Sequence, residues 1–191
     1  MGNKRDRPPE GGWSWLELVR STDRELLDKC RLDTFRGSGR GGQKRNKTSN
    51  AVRLTISDLA VTESTSRSRA QNITKALRKL RLAIALSLSN GFGRVCNTGP
   101  LPDDIRPYFS GGVIRINLQN PLFPMVVGNL VDLFVNCQSS WSAVAEACGV
   151  SKSQLRRFVE KHPSLLATVR RIQADCSKEK ADTEGGEIGG G

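Results

Sequence analysis

A glycine-rich, cationic stretch runs from Arg36 to Asn50, and Gly41-Gly42-Gln43 within it is the chain's candidate reactive group. Arg36, Arg40, Lys44, Arg45 and Lys47 frame it. Gly37, Gly39, Gly41 and Gly42 let the backbone follow paths barred to other residues and approach another molecule closely. The cations make that molecule an anion, and nucleic acid is the anion that suits such a frame. The Gln43 carboxamide is neutral, so it is a poor nucleophile and a poor general base. It can still position a water or donate a hydrogen bond.

Other chemistries fail on inventory. The only histidine is His162, beside Pro163 and far along the chain from any elbow-like serine, so a Ser/His/Asp triad is not supported and a capping or surface role is expected. Gly42 is followed by Gln43 rather than by a lysine, which excludes a Walker phosphate loop. Cys30, Cys96, Cys137, Cys148 and Cys176 form no C-x-x-C pair, and with one histidine they make no credible zinc set. No metal or cofactor is expected. Odd, scattered cysteines suit a reduced cytoplasmic protein. Met1–Gly12 is polar, without the apolar core of a signal peptide, and no apolar run approaches a membrane span.

The elements that must carry the loop follow from periodicity. Arg31–Arg36 alternates as a strand that Gly37 breaks. Ala51–Ile56 is a second strand, with Val52, Leu54 and Ile56 on one face, and Leu59–Glu63 is a third after a Ser57-Asp58 turn. Ser66 or Ser68 caps a helix expected to run to about Ser89, with Ile73, Leu77, Leu80, Ile84 and Leu88 as its apolar row. Lys79 and Arg81 lie off that row and read equally as a solvated face or as RNA contacts. Upstream, Ser21–Glu25 opens a short helix, and Trp13, Trp15, Leu16, Leu18 and Val19 form an apolar patch that packs on the domain.

Charge placement supports the partner. The chain carries +11, and residues 31–81 hold 13 Lys and Arg against 3 Asp and Glu. A merely solubilising surplus would be dispersed.

Beyond Asn90 the composition changes. Asn90–Pro107 is rich in Gly, Pro and Asn, and Val113–Leu118 reads as an isolated strand. A helix to about Asn136 follows. From Trp141, the pattern Val144, Ala145, Cys148, Gly149, Val150, Leu155 and Phe158 fits a helix-turn-helix, with a small residue for close approach and a glycine for the turn. Its second helix displays Lys152, Gln154, Arg156 and Arg157, candidates for a second nucleic-acid or ribosome contact.

The stretch Leu32–Arg36, Gly41-Gly42-Gln43, Asn46–Thr55 and the basic segment Arg67–Leu77 resembles, in order, the GGQ peptidyl-tRNA hydrolysis domain of class I peptide chain release factors. The resemblance covers roughly residues 24–88. It implies a ribosome-dependent enzyme that hydrolyses the peptidyl-tRNA ester at the peptidyl transferase centre of the large subunit. By resemblance, the Gln43 N–H donates to the developing oxyanion or leaving oxygen, and its side chain selects water. Gly41 and Gly42 permit the backbone path, although the family has a small residue or proline where Arg40 stands. Arg36, Arg40, Lys44, Arg45, Lys47, Arg53, Arg67 and Arg69 become contacts to ribosomal RNA. A glutamine methyltransferase acting on Gln43 is implied as a further partner.

About 30 residues precede the first of these strands, too few for a codon-reading domain, so the resemblance is to the short, codon-independent branch that rescues stalled ribosomes. Members of that branch end in a basic tail, whereas this tail is acidic and glycine-rich, which implies a different targeting device. The expected fold is α+β: a small GGQ domain with a three- or four-stranded sheet packed by a long basic helix, then an all-α helix-turn-helix-like domain. The expected boundaries are a disordered leader and apolar anchor over 1–20, the GGQ domain over 21–89 and a linker with a short strand over 90–120. The helical domain covers 121–176, and a disordered tail covers 177–191. Two other readings compete: a DNA-binding regulator using the helix-turn-helix, and a ribosome-binding protein without hydrolysis.

Overall fold

The computed structural model describes residues 12–36, 50–88, 92–94 and 101–185. They fall into two units, one ending at Gly93 and one beginning at Arg94.

The first unit is built on a three-stranded antiparallel sheet in the order β2-β3-β4, with β2 at Arg31–Phe35, β3 at Ala51–Ile56 and β4 at Leu59–Glu63. Leu32 pairs with Leu54 and Thr34 with Val52. Because neighbours along a strand face opposite ways, this register puts Val52, Leu54 and Ile56 inward and Arg53 outward. The inward face is covered by α3, Arg69–Leu86. Its Leu77, Leu80 and Ile84 are buried, and the Ser68 hydroxyl caps its start by accepting from the Gln71 N–H at 3.4 Å. The helix stops at Leu86 rather than Ser89, because Ser87 turns to extended backbone.

The apolar patch near the N-terminus is ordered. Trp13–Ser14 forms β1, parallel to β5 at Phe92–Gly93, and Trp15–Arg20 forms α1, with Trp15, Leu18 and Val19 buried. The helix α2, Asp23–Asp28, starts with a reciprocal cap: Thr22 Oγ1 accepts from the Glu25 N–H, and the Glu25 carboxylate accepts from the Thr22 N–H at 2.8 Å.

In the second unit, the stretch expected to be linker is partly core. Ile105 and Phe109 are buried, and Arg106–Tyr108 is a single turn of 3₁₀ helix. The expected strand Val113–Leu118 shrinks to β7, Val113–Ile114, paired with β6, Phe109–Ser110. Gly111 and Gly112 make the turn at φ +63° and +72°, a conformation only glycine adopts cheaply. Beyond the ladder, Asn117 Oδ1 accepts from the Gln119 and Asn120 N–H groups and turns the chain.

The helix α4, Phe123–Asn136, is buried along nearly its whole length and is the unit's central post. Around it pack α5, Trp141–Ala147, and α7, Pro163–Gly185; α6, Lys152–Lys161, joins α5 and α7. Gly149 sits at φ +65° between α5 and α6, and the Val150 N–H then closes the end of α5 on the Ala145 carbonyl at 3.0 Å. The last helix does not stop at Cys176. It continues to Gly185, because Lys178–Asp182 are adequate helix formers until the glycines.

Candidate nucleic-acid interface

The candidate reactive tripeptide belongs to the connection between β2 and β3. Gly41, Gly42 and Gln43 lie outside the described residues, as do Arg40, Lys44, Arg45 and Lys47. Both feet of the connection are described. Phe35 is paired with Ala51, so Arg36 and Asn50 leave the sheet side by side.

Asn72 anchors the second foot. It is fully buried in the first turn of α3. Its Nδ2 donates to the Asn50 carbonyl at 2.7 Å and to the Ser66 carbonyl at 2.9 Å, while Oδ1 accepts from the Ser66 N–H at 2.8 Å. The Asn50 side chain adds a bond to the Arg67 carbonyl at 2.8 Å. One carboxamide thus ties the loop foot to the turn that starts the basic helix. A buried amide so used costs little, because both of its ends are satisfied.

The other end of that turn is held by Glu63. Its carboxylate is 3% exposed and meets Lys79 Nζ at 2.6 Å. It also accepts from the Ser64 and Thr65 N–H groups at 3.2 and 2.9 Å. Burial alone would raise its pKa; the bonds from Lys79 and Thr65 outweigh that and bring it down to about 2. Lys75 Nζ donates to Thr65 Oγ1 at 2.9 Å on the same turn. Arg36, Arg67 and Arg69 are exposed around this base. Arg53 is exposed farther along, on the open sheet face opposite Asp33, which pairs with Arg31 at 2.9 Å.

Residues 26–90 match the RF-1 domain family. They are an RF-1 domain. The chain is 38% identical over 80 residues to a peptide chain release factor homolog of Escherichia coli, covering 40% of this chain and 39% of that protein. It is 47% identical over 55 residues to peptide chain release factor 2 of Paramagnetospirillum magneticum, covering 28% and 15%. Against peptide chain release factor 1 of Rickettsia canadensis it is 42% identical over 72 residues, covering 36% and 20%. The chain therefore spans well under half the length of each of these relatives. No solved structure matches it.

Within the RF-1 domain, two cations expected to be either solvated or RNA-bound are held internally. Lys79 serves Glu63. Arg81 donates to the Val19 carbonyl at 3.3 Å, the Ser21 carbonyl at 2.8 Å and Asp23 Oδ1 at 2.7 Å, stapling the α1–α2 corner to α3. Asn72 and Glu63 escaped the sequence reading, although each carried a signal. Asn72 precedes Ala76, Leu80 and Ile84 at steps of four, a polar residue on a buried stripe, and Glu63 continues the inward alternation of Leu59 and Val61.

Outside the RF-1 domain, Lys152, Arg156 and Arg157 are exposed on α6 and Gln154 is half-buried. Arg156 lies 5.4 Å over the Trp141 ring. His162 caps the end of α6 but is not a surface residue: it is buried between Phe123 and Phe158, ring centres 4.9 and 4.7 Å away. Among the described residues, no group of three His, Cys, Asp or Glu is placed to hold a metal ion. No helix among them is long and apolar enough to cross a membrane.

Proposed function

We propose that the chain hydrolyses the peptidyl-tRNA ester on the ribosome, with Gly41-Gly42-Gln43 as the group presented to the reacting carbonyl. Supporting this reading is the anchored base of the connection that carries them: Phe35 opposite Ala51, and Asn50 fixed by Asn72 within an RF-1 domain.

In the reaction, water attacks the ester carbonyl carbon and the bond to the 3′ oxygen of the terminal adenosine breaks. The free peptide acid leaves, and the tRNA keeps its hydroxyl. The Gln43 N–H stabilises the negative oxygen that develops, and the Gln43 side chain excludes nucleophiles bulkier than water. Gly41 and Gly42 keep the path of that N–H free of side chains. Arg36, Arg40, Lys44, Arg45, Lys47, Arg53, Arg67 and Arg69 hold the domain on ribosomal RNA, each phosphate contact adding to the salt dependence of binding. We read the activity as codon-independent rescue in the cytoplasm, with a glutamine methyltransferase acting on Gln43 as a second partner.

The test is release of labelled peptide from ribosomes stalled on messages with and without a stop codon. Gln43→Ala and Gly42→Ala are expected to abolish release and keep ribosome binding. Parent-level release by either variant would remove the catalytic assignment. Release by the parent only at a stop codon would remove rescue.

A further inference from the structure

The second unit carries a feature that ester hydrolysis does not use. Ser151 and Ser140 cap α6 and α5 through their hydroxyls, and Gly149 turns the chain between the two helices. Leu155, Phe158 and Val159 bury one side of α6. The opposite side carries Lys152, Ser153, Arg156 and Arg157, all exposed, with the exposed Glu160 one turn on from Arg156.

Beside the start of this helix stands the β6–β7 hairpin. The Gly112 carbonyl accepts from the Ser151 N–H at 3.2 Å, and Gly112 bridges Val150 in parallel fashion. The hairpin tip is open, since a side-chain carbon added at Gly111 or Gly112 would meet nothing within 4 Å. No acidic residue occurs between Phe109 and Asn120 or between Gly149 and Phe158. The first two turns of the helix and the hairpin therefore present one net cationic edge, with Arg115 on the hairpin side and Glu160 as the acid at its far end. Arg156 is held on that edge by the face of Trp141, which itself stacks edge-on against Phe134 at 4.9 Å. A guanidinium fixed over a ring loses less side-chain freedom when it meets a phosphate.

We propose that this edge, α6 with the Gly111-Gly112 hairpin tip, is a second nucleic-acid docking surface whose occupant is duplex RNA. A capped helix with outward cations and an adjoining hairpin is the arrangement that lies along a phosphate backbone. Charge complementarity selects a polyanion. The choice of RNA over DNA rests on the release-factor reading of the first unit. The helix offers no freely exposed carboxamide to read base edges, since Gln154 is half-buried, and Arg156 is held at the Trp141 face, where it meets phosphate rather than a base edge. Binding is therefore expected to follow duplex shape and charge rather than sequence.

The experiment uses the full chain, with fluorescence anisotropy of labelled 20-base-pair RNA and matched DNA duplexes across a salt series. Lys152→Gln/Arg156→Gln/Arg157→Gln is compared with the parent. Each phosphate contact contributes about 0.9 to the slope of log affinity against log salt on a duplex. The triple variant is expected to lower that slope by about 2–3 and to weaken RNA binding at least tenfold, with the DNA duplex bound more weakly than RNA by the parent. Because Arg156 packs on Trp141, the triple variant could lose fold. Ser153→Glu, which adds a negative charge to the same exposed side, is the second arm and is expected to weaken RNA binding at least threefold with unchanged thermal unfolding. Parent-like affinity and slope in both variants would overturn the proposal, and so would DNA bound as tightly as RNA. Peptide release is read separately. A parent that releases no peptide sinks the hydrolase reading, whereas a salt slope unmoved by α6 substitutions sinks only the docking surface.

Discussion

Asn72 donates through its side-chain amide to the backbone carbonyl of Asn50, 22 residues earlier, at 2.7 Å. The bond joins the first turn of a helix to the foot of the loop bearing Gly41-Gly42-Gln43. Replacing Asn72 by Ala removes three bonds, two donated to the Asn50 and Ser66 carbonyls and one accepted from the Ser66 N–H, a loss of about 2–4 kcal/mol. Asn72→Asp keeps the acceptor for the Ser66 N–H and loses both donated bonds. Both variants are expected to lower the Tm and to slow peptide release at least tenfold. Full-rate release by Asn72→Asp would show that the foot needs no such tie.

Arg81 makes the analogous tie for the N-terminal corner. Arg81→Ala is expected to destabilise the first unit by about 1–3 kcal/mol. Amide exchange should speed up selectively over residues 15–28. Arg81→Lys should not restore protection, because a single ammonium cannot reach two carbonyls and a carboxylate with the geometry of a planar fork. Unchanged exchange at Leu18 and Val19 in the alanine variant would refute this role.

Glu63 makes the first unit sensitive to acid. Its folded pKa is depressed from 4.5 to about 2, so its contribution is complete above about pH 4.5 and is lost as pH falls toward 2. Discounted for the 55% exposed Lys79, that contribution is about 2 kcal/mol. Chemical denaturation at pH 7 and pH 3 should show the difference, and Glu63→Gln should flatten it. A Glu63→Gln curve parallel to the parent would place the acid sensitivity elsewhere.

His162 governs a different window. Burial, with a smaller contribution from Lys161, lowers its pKa, so the folded second unit holds the neutral ring. Unfolding then takes up a proton below the ordinary value of 6.5, and stability falls as pH drops from 6.5 through the lowered folded pKa. His162→Phe should keep the contacts with Phe123 and Phe158 and remove this slope between pH 7 and 5. The check is the pH dependence of tryptophan-detected unfolding, where Trp141 reports on the helical unit.

The sequence exposed the sheet and the helix more fully than the joints between them. Strands β3 and β4 follow directly from Val52, Leu54 and Ile56 alternating with polar residues, and α3 from its apolar row. The loop foot was harder to see because Asn72 works through backbone carbonyls 6 and 22 residues away, and no local pattern encodes those partners. Arg81 looked like any exposed cation, since its three acceptors belong to a corner some 60 residues earlier. The strand at Val113 is legible but its β6 partner is not, because Gly111 and Gly112 are equally at home in a linker and in a tight turn. Only the burial of Ile105 and Phe109 distinguishes the two.

The pairing of Phe35 with Ala51 has a geometric corollary. It fixes both ends of the 36–50 segment one strand spacing apart, and Gln43 is the seventh residue from Arg36 and the seventh from Asn50. With about 3.4 Å per extended residue, neither arm can carry Gln43 beyond about 25 Å from the sheet. By chain length alone, Gln43 is the residue this segment can carry farthest from the sheet. A residue added to one arm makes the two arms unequal and moves the midpoint of the segment off the glutamine, while every strand pair stays in register, so the sheet sets the reach of position 43 as a ruler would.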